Sequence, residues 1–184
     1  NGRIVSSEGC LRVRLDELDA LPVPSSLRII ACGTSYHAGL WGRELLENIG
    51  GIPTELDIAS EFRYRKPMSR LEETVMVISQ SGETADTLAA LRLVKERGGR
   101  VIGLCNVQGA SIARESDVVL YTQAGPEISV ASTKAMSSQM LLLALIALYY
   151  GQRRTPPVRD EMVLRALLQL PDVLAGTLPD MRTK

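Results

Sequence analysis

At 184 residues and 45% apolar content, the chain is long enough for one folded domain and too apolar for a disordered one. Lys and Arg balance Asp and Glu at 21 each, so no bulk field favours nucleic acid or an anionic membrane. A single His, His37, rules out a His-rich metal site. Cys10, Cys32 and Cys105 form no C-x-x-C pair, which argues against a disulfide framework and for a reducing, cytoplasmic setting.

Residues 1–26 are polar and irregular and end in Pro22 and Pro24, so they read as a lead-in rather than as part of the core. Leu27–Cys32 is the first predicted strand. It ends in Gly33-Thr34-Ser35, and the apolar spacing predicts a helix from Tyr36 to Ile49, stopped by Gly50-Gly51. Thr54–Ile58 is a short second strand, and Ala59–Arg65 a helical turn before Pro67. Thr74–Ser79, with Val75-Met76-Val77-Ile78 at its centre, reads as a fully buried third strand. A helix from Thr84 to about Arg97 follows, closed by Gly98-Gly99. Arg100–Cys105 is the fourth strand, Ser111–Arg114 a short helix and Asp117–Tyr121 the fifth strand. A loop over Thr122–Val130 leads to a long helix, Ser132–Tyr150. Its Met140–Tyr150 stretch is apolar all round, yet well short of the ~20 residues needed to span a bilayer. One or two helices, Val158–Leu170 and Val173–Leu178 past Pro171, complete the chain.

Short apolar strands alternating with helices predict an α/β fold: a five-stranded parallel sheet in a flavodoxin-like three-layer αβα sandwich, strand order 2-1-3-4-5. The division expected is a lead-in over 1–26, the α/β domain over 27–151 and a helical extension over 152–184. Ligands of such sheets bind beyond the carboxyl ends of the strands, where the strand order reverses. In this order the reversal falls between the first and third strands. The turns at Gly33-Thr34-Ser35 and Ser79-Gln80-Ser81-Gly82-Glu83-Thr84 then converge, and both are rich in hydroxyls.

The second turn has a definite chemistry. It hands a buried strand to a helix, whose first N–H groups lack partners and carry partial positive charge. Ser79, Ser81 and Thr84 can each donate to a phosphate oxygen, and Gly82 lets the backbone approach a ligand. Neither the G-x-x-x-x-G-K-[ST] loop nor the G-x-G-x-x-G fingerprint is present, so a small phosphate monoester fits better than a nucleotide. The same hydroxyls would equally serve as ordinary helix caps.

Other candidates are weaker. Ser132 reads as the N-cap of the long helix or as a third wall of the pocket, with Val130 and Ala131 offering backbone groups and Lys134 a cation. His37, in the first turn of its helix, could polarise a carbonyl or merely pack. Cys32 reads as a small core residue. Arg63, Arg65, Lys66 and Arg70 form a basic cluster, either a solvated loop or a device that steers phosphate.

Four motifs in order, Cys32-Gly33-Thr34-Ser35-Tyr36, Ala59-Ser60-Glu61-Phe62-Arg63-Tyr64-Arg65, Ser79-Gln80-Ser81-Gly82-Glu83-Thr84-Ala85-Asp86-Thr87 and Val130-Ala131-Ser132-Thr133-Lys134-Ala135, resemble the first sugar-isomerase (SIS) domain of the glutamine–fructose-6-phosphate aminotransferases, the glucosamine-6-phosphate synthases. The resemblance implies a five-stranded parallel sheet and binding of fructose 6-phosphate or glucosamine 6-phosphate. By motif position it implies that Ser79, Gln80, Ser81 and Thr84 hold the phosphate. Thr34 and Ser35 also reach it, and Val130 and Ser132 line the sugar side. It implies a cytoplasmic role in UDP-N-acetylglucosamine biosynthesis and no cofactor. The family also carries a glutaminase domain and a second SIS domain with the acid–base carboxylate, the histidine and the Schiff-base lysine. Nothing in these residues supplies those groups, so the chain is expected to be one phosphosugar-binding half, inactive alone and holding no catalytic residue.

Two other functions fit the same residues: a non-catalytic module that senses sugar phosphate for a regulator, and an unrelated flavodoxin-like nucleotide binder. A homodimer is expected as well, because a single sheet leaves part of an all-apolar helix uncovered.

Overall fold

The computed structural model describes residues 2–7, 9–64, 74–129, 131–158 and 160–181. It opens with a hairpin, β1 (Ile4–Ser7) and β2 (Cys10–Val13), paired antiparallel from Ile4↔Val13 to Ser7↔Cys10. A 3-10 turn over Asp16–Ala20 follows. The lead-in reading therefore needs correction, since Val13, Leu15 and Leu18 are buried in the same cluster as the sheet.

The central sheet contains β3 (Leu27–Ala31), β4 (Thr54–Ile58), β5 (Thr74–Ser79), β6 (Arg100–Cys105) and β7 (Val118–Tyr121). Every pairing in it is parallel, and the order is β4-β3-β5-β6-β7, as the sequence predicts. Parallel strands need crossovers, and helices supply them. These are α1 (Gly33–Leu45, widening to a π turn over Leu46–Gly50), α2 (Ala59–Phe62), α3 (Ala85–Glu96) and α4 (Ser111–Glu115). The chain ends in α5 (Lys134–Gly151) and α6 (Glu161–Met181).

Successive residues of a strand face opposite sides, so the sheet has two cores. Ile29, Ala31, Met76, Ile78, Ile102 and Leu104 face α1, α5, the 3-10 turn and Leu164 of α6. Ile30, Val75, Val77 and Val101 face α2, α3 and α4 through Phe62, Leu88, Leu91 and Ile112. The result is the expected three-layer sandwich.

Three further expectations change. Helix α1 starts at Gly33 rather than Tyr36, because Gly33 adopts φ +57° and turns the chain into the helix directly behind Cys32. Thr34 and Ser35 thus belong to its first turn. Helix α6 is a single helix running through the exposed Pro171. A carbonyl freed by proline costs less where water can reach it than in a buried helix. Most of the apolar stretch of α5 is covered by this chain itself, Leu141 being the exposed member. Leu143 meets Gly42, Ala147 and Tyr150 meet Gly50, and Leu142, Leu143 and Leu145 through Tyr150 lie within one core. That removes the ground on which a homodimer was expected from α5. Large exposed apolar side chains cluster on α6, where Met162 is 78%, Val173 59% and Leu174 51% exposed, while others, Ile128 and Tyr64 among them, are scattered elsewhere.

Because Leu18 is buried to 1% exposure outside the sheet's own elements, Leu18→Ala should destabilise the domain by ~2–5 kcal/mol. Denaturant unfolding of the two chains measures it. A change below about 0.5 kcal/mol would mark residues 1–26 as an appendage.

Candidate functional site

β3 and β5 lie side by side with Ala31 opposite Ile78, so the chain leaves both strands at one level and one edge. At that edge α1 and α3 begin, and neither first turn receives a side-chain cap. Both ends therefore offer unpartnered N–H groups and the positive end of a helix dipole. Helix α5 runs parallel to α1, since Gln139 meets Ser35, Leu143 meets Gly42 and Ala147 meets Gly50. Its N-terminus comes to the same edge.

The turn after β5 is braced from within and from outside. Ser79, 2% exposed, accepts the Gly82 N–H at its Oγ (3.0 Å), and that oxygen lies 2.8 Å from Thr84 Oγ1. Ser81 Oγ accepts the Glu83 N–H (3.1 Å), and Thr84 stands at the N-cap of α3. From β6 and α4, Asn106 N–H donates to the Gln80 carbonyl (3.0 Å) and Ile112 N–H to the Gly82 carbonyl (3.0 Å). Ser111 N–H donates to Glu83 Oε1 (2.7 Å), and this backbone bond holds the Glu83 carboxyl below its usual range. Gly82 adopts φ +70°, and a Cβ there would stand 2.5 Å from the Ala110 Cβ, so no larger residue fits. Cys105 lies beneath, its thiol pushed up to about 11 by burial, which keeps it protonated and unreactive.

The structure thus brings Thr34, Ser35, Ser79, Gln80, Ser81 and Thr84 to one end of the sheet. Ser132 comes with the loop before α5, but not as the N-cap, a position Thr133 holds. Glu127 does the capping: its carboxylate accepts from Ser132 Oγ (2.7 Å), Thr133 N–H (3.0 Å) and Thr133 Oγ1 (2.9 Å). These bonds pull its carboxyl down to about 2. Val130, expected on the sugar side, lies outside the described residues, as do Arg65, Lys66 and Arg70 of the basic cluster. Arg63, the remaining member, pairs with Asp86 in the first turn of α3 (2.8 Å) and stacks over Tyr64. His37 packs edge-on against Tyr36. Cys32 is a partly buried residue at the N-cap of α1, packed against the α3 side of the core.

Three residues that brace this edge escaped the sequence reading. Asn106 ties the end of β6 to the loop after β7, its Oδ1 accepting from Thr122 Oγ1 (2.9 Å) and Ala124 N–H (2.8 Å). Glu127 caps a helix from seven residues upstream of its first residue, out of range of local capping rules. Gln139 donates from Nε2 to Ser35 Oγ (3.1 Å) while fully buried. Lying between Ser137-Ser138 and the apolar stretch that starts at Met140, it carries no sequence signal that sets it apart from a solvated residue.

A hydroxyl-lined crevice at the strand-order switch of an open parallel sheet, fed by helix N-termini, defines a small-anion-binding α/β domain. Residues 23–149 match the family model of the SIS domain, and the chain belongs to that family. Among curated proteins it is similar to the glutamine–fructose-6-phosphate aminotransferase (isomerizing) of Chlorobaculum tepidum. Identity is 50% over 182 residues, 96% of this chain and 29% of the relative. The enzyme of the same name from Symbiobacterium thermophilum is 47% identical over 181 residues, 96% of this chain and 30% of the relative. The chain thus spans under a third of the length of these relatives. Among solved structures, the C-terminal domain of glucosamine-fructose-6-phosphate aminotransferase from Francisella tularensis superposes with a TM-score of 0.77. It is 37% identical, over 89% of this chain and 47% of that one. The glucosamine-6-phosphate deaminase of Thermotoga maritima gives 0.63 at 25% identity, over 72% of this chain and 43% of that one.

Two outcomes follow from this geometry. Gly82→Ala should lower the unfolding free energy by at least ~1 kcal/mol, from the left-handed backbone alone, and add the clash with Ala110. Chemical denaturation reads it, and an unchanged midpoint would contradict the placement of the turn. The folded Glu127 carboxyl is held at about 2, below its ordinary value of 4.5, so its stabilising contribution is complete above pH 4.5 and is lost as pH falls toward about 2. The stability difference between the parent and Glu127→Gln should therefore be largest above pH 4.5 and narrow below it. A difference independent of pH across that window would contradict the cap.

Proposed function

We propose that the chain is the first sugar-isomerase half of a glutamine–fructose-6-phosphate aminotransferase, and that its crevice binds fructose 6-phosphate or glucosamine 6-phosphate by the phosphate. The observation that carries the reading is the meeting of two uncapped helix N-termini with the Ser35 and Ser79–Thr84 hydroxyls at one edge of a parallel sheet. Gln80, Ser81 and Thr84 offer hydroxyls and backbone amides to the phosphate, with Ser79 holding the turn and reaching it through the same oxygen. Thr34 and Ser35 approach from α1. Each bond to a dianion is charge-assisted, roughly twice as strong as a neutral one. Val130 and Ser132 line the sugar. The Ser132 hydroxyl gives its proton to Glu127, so its free lone pairs suit it to accept from a sugar hydroxyl.

These residues bind and orient; they hold no acid–base pair for ring opening or isomerisation. The chain therefore binds the hexose phosphate without turning it over. In the complete enzyme a glutaminase domain supplies ammonia and a second SIS domain supplies the acid–base groups and the lysine. The setting is cytoplasmic, the product feeds UDP-N-acetylglucosamine biosynthesis, and no cofactor takes part. Among the described residues no helix is long and apolar enough to cross a membrane. The assembly is a homodimer in which the exposed apolar side chains of α6 are covered. Light scattering should give twice the chain mass, and a monomer at high concentration would remove the dimer.

Calorimetric titration with fructose 6-phosphate should show saturable binding. Ser81→Ala and Thr84→Val should each weaken it by about tenfold, the value of a hydrogen bond to a charged group. No binding at millimolar ligand by a folded sample overturns the assignment. So does tighter binding of FMN or a nucleotide at the same turn.

A further inference from the structure

Helix α5 is built almost wholly of apolar residues on its covered side. Its other buried positions are Ala, Leu, Ile, Tyr and Gly, and Gln139 interrupts them with an amide that is 0% exposed. That amide is only half satisfied. Its Nε2 donates to Ser35 Oγ, while its Oε1 is buried without a hydrogen-bond partner. A buried carbonyl left unpaired costs ~1–3 kcal/mol, so an apolar side chain of similar size would serve stability at least as well. Stability does not explain the residue; its one partner does.

Ser35 sits in the first turn of α1 at the candidate site and is 6% exposed. A serine hydroxyl has one proton and two lone pairs. In a helix its easiest partner is a backbone carbonyl of the preceding turn, which would take the proton. An amide N–H arriving at the oxygen fixes the rotor from the other side. It fills an acceptor position and leaves the proton to be given to something else. A proton so directed suits an anionic oxygen and is useless to a donor. The contact is placed by the close approach of α1 to α5, where Gly42, two turns along α1 from Ser35, lies against Leu143, one turn along α5 from Gln139.

We infer that Gln139 is a positioning residue that makes the Ser35 hydroxyl a donor to the bound phosphate. It touches no ligand and acts through Ser35. The inference rests on the reading of Ser35 as a phosphate contact, and the experiment separates the two.

The test is a double-mutant cycle on the chain as it stands, with fructose 6-phosphate affinity read by calorimetry and melting temperature alongside. Ser35→Ala should weaken binding about tenfold and Gln139→Met by several-fold, with the melting temperature of Gln139→Met no lower than the parent's. In the double variant the two losses should not multiply: affinity should equal that of Ser35→Ala alone. A purely structural glutamine would instead lower the melting temperature and leave affinity unmoved, or lower affinity independently of Ser35. Either result overturns the role. Parent binding with unchanged affinity in Gln139→Met overturns this inference and leaves the site intact. No binding by the parent overturns both. If Gln139→Met does not fold, Gln139→Leu replaces it in the same cycle.

Discussion

The parallel pairing of β3 with β5 is the constraint on which everything else in this domain rests. Ala31 stands opposite Ile78, so the chain leaves the two strands at the same height. A strand in a parallel sheet must be left by a crossover, and the shortest one packs a helix back on the sheet. Two helices therefore begin beside each other, with their unsatisfied amides at a common edge. A slip of one residue in this register would turn Ile78 and Ile29 away from the α1–α5 core and toward the α3 core, and would part the two turns. Burial on both faces thus enforces the geometry of the site.

Around that edge, polar bracing is distributed over neighbouring elements. Asn106 reaches from β6 to the loop after β7, Glu83 reaches to the start of α4, and Glu127 holds the start of α5. Asn106 and Glu127 lie outside the hydroxyl turns, and Glu83 lies within the second of them. Each fixes the backbone of a segment beside them, through amides that the loops themselves leave unpaired.

The sheet was legible because its strands are short apolar runs bounded by Gly, Ser and charged residues, and their limits agree with expectation to within about a residue. The Ser79–Thr84 turn was legible for the same reason: a buried run stops at small polar residues and a helix pattern begins. The hairpin and 3-10 turn were not, because Val13, Leu15 and Leu18 enter the core between charged neighbours Arg14, Asp16 and Glu17. Leu11, Val13 and Leu15 do alternate with Arg12, Arg14 and Asp16, the period of two of a half-buried strand, but the run is short and is broken by the 3-10 turn at Asp16. The start of α5 was misplaced by two residues since its cap, Glu127, comes from the loop and not from an adjacent Ser. The homodimer argument failed on α5 because an apolar helix in isolation does not say which surface covers it. The answer lay in Gly42 and Gly50, whose lack of side chains lets α1 and its π turn close over it.

The hydroxyls of Ser79 and Thr84 are bonded to one another at the end of β5. Entry of a guest there is an exchange of acceptors, not a capture by idle donors. A neutral alcohol of an unphosphorylated hexose offers an oxygen no better than the one these two hydroxyls already share, and so gains little. A doubly charged oxyanion forms shorter, stronger bonds than either hydroxyl can with the other. Discrimination between a sugar and its phosphate ester would then arise inside the turn itself, from what its side chains relinquish, without any cation being required.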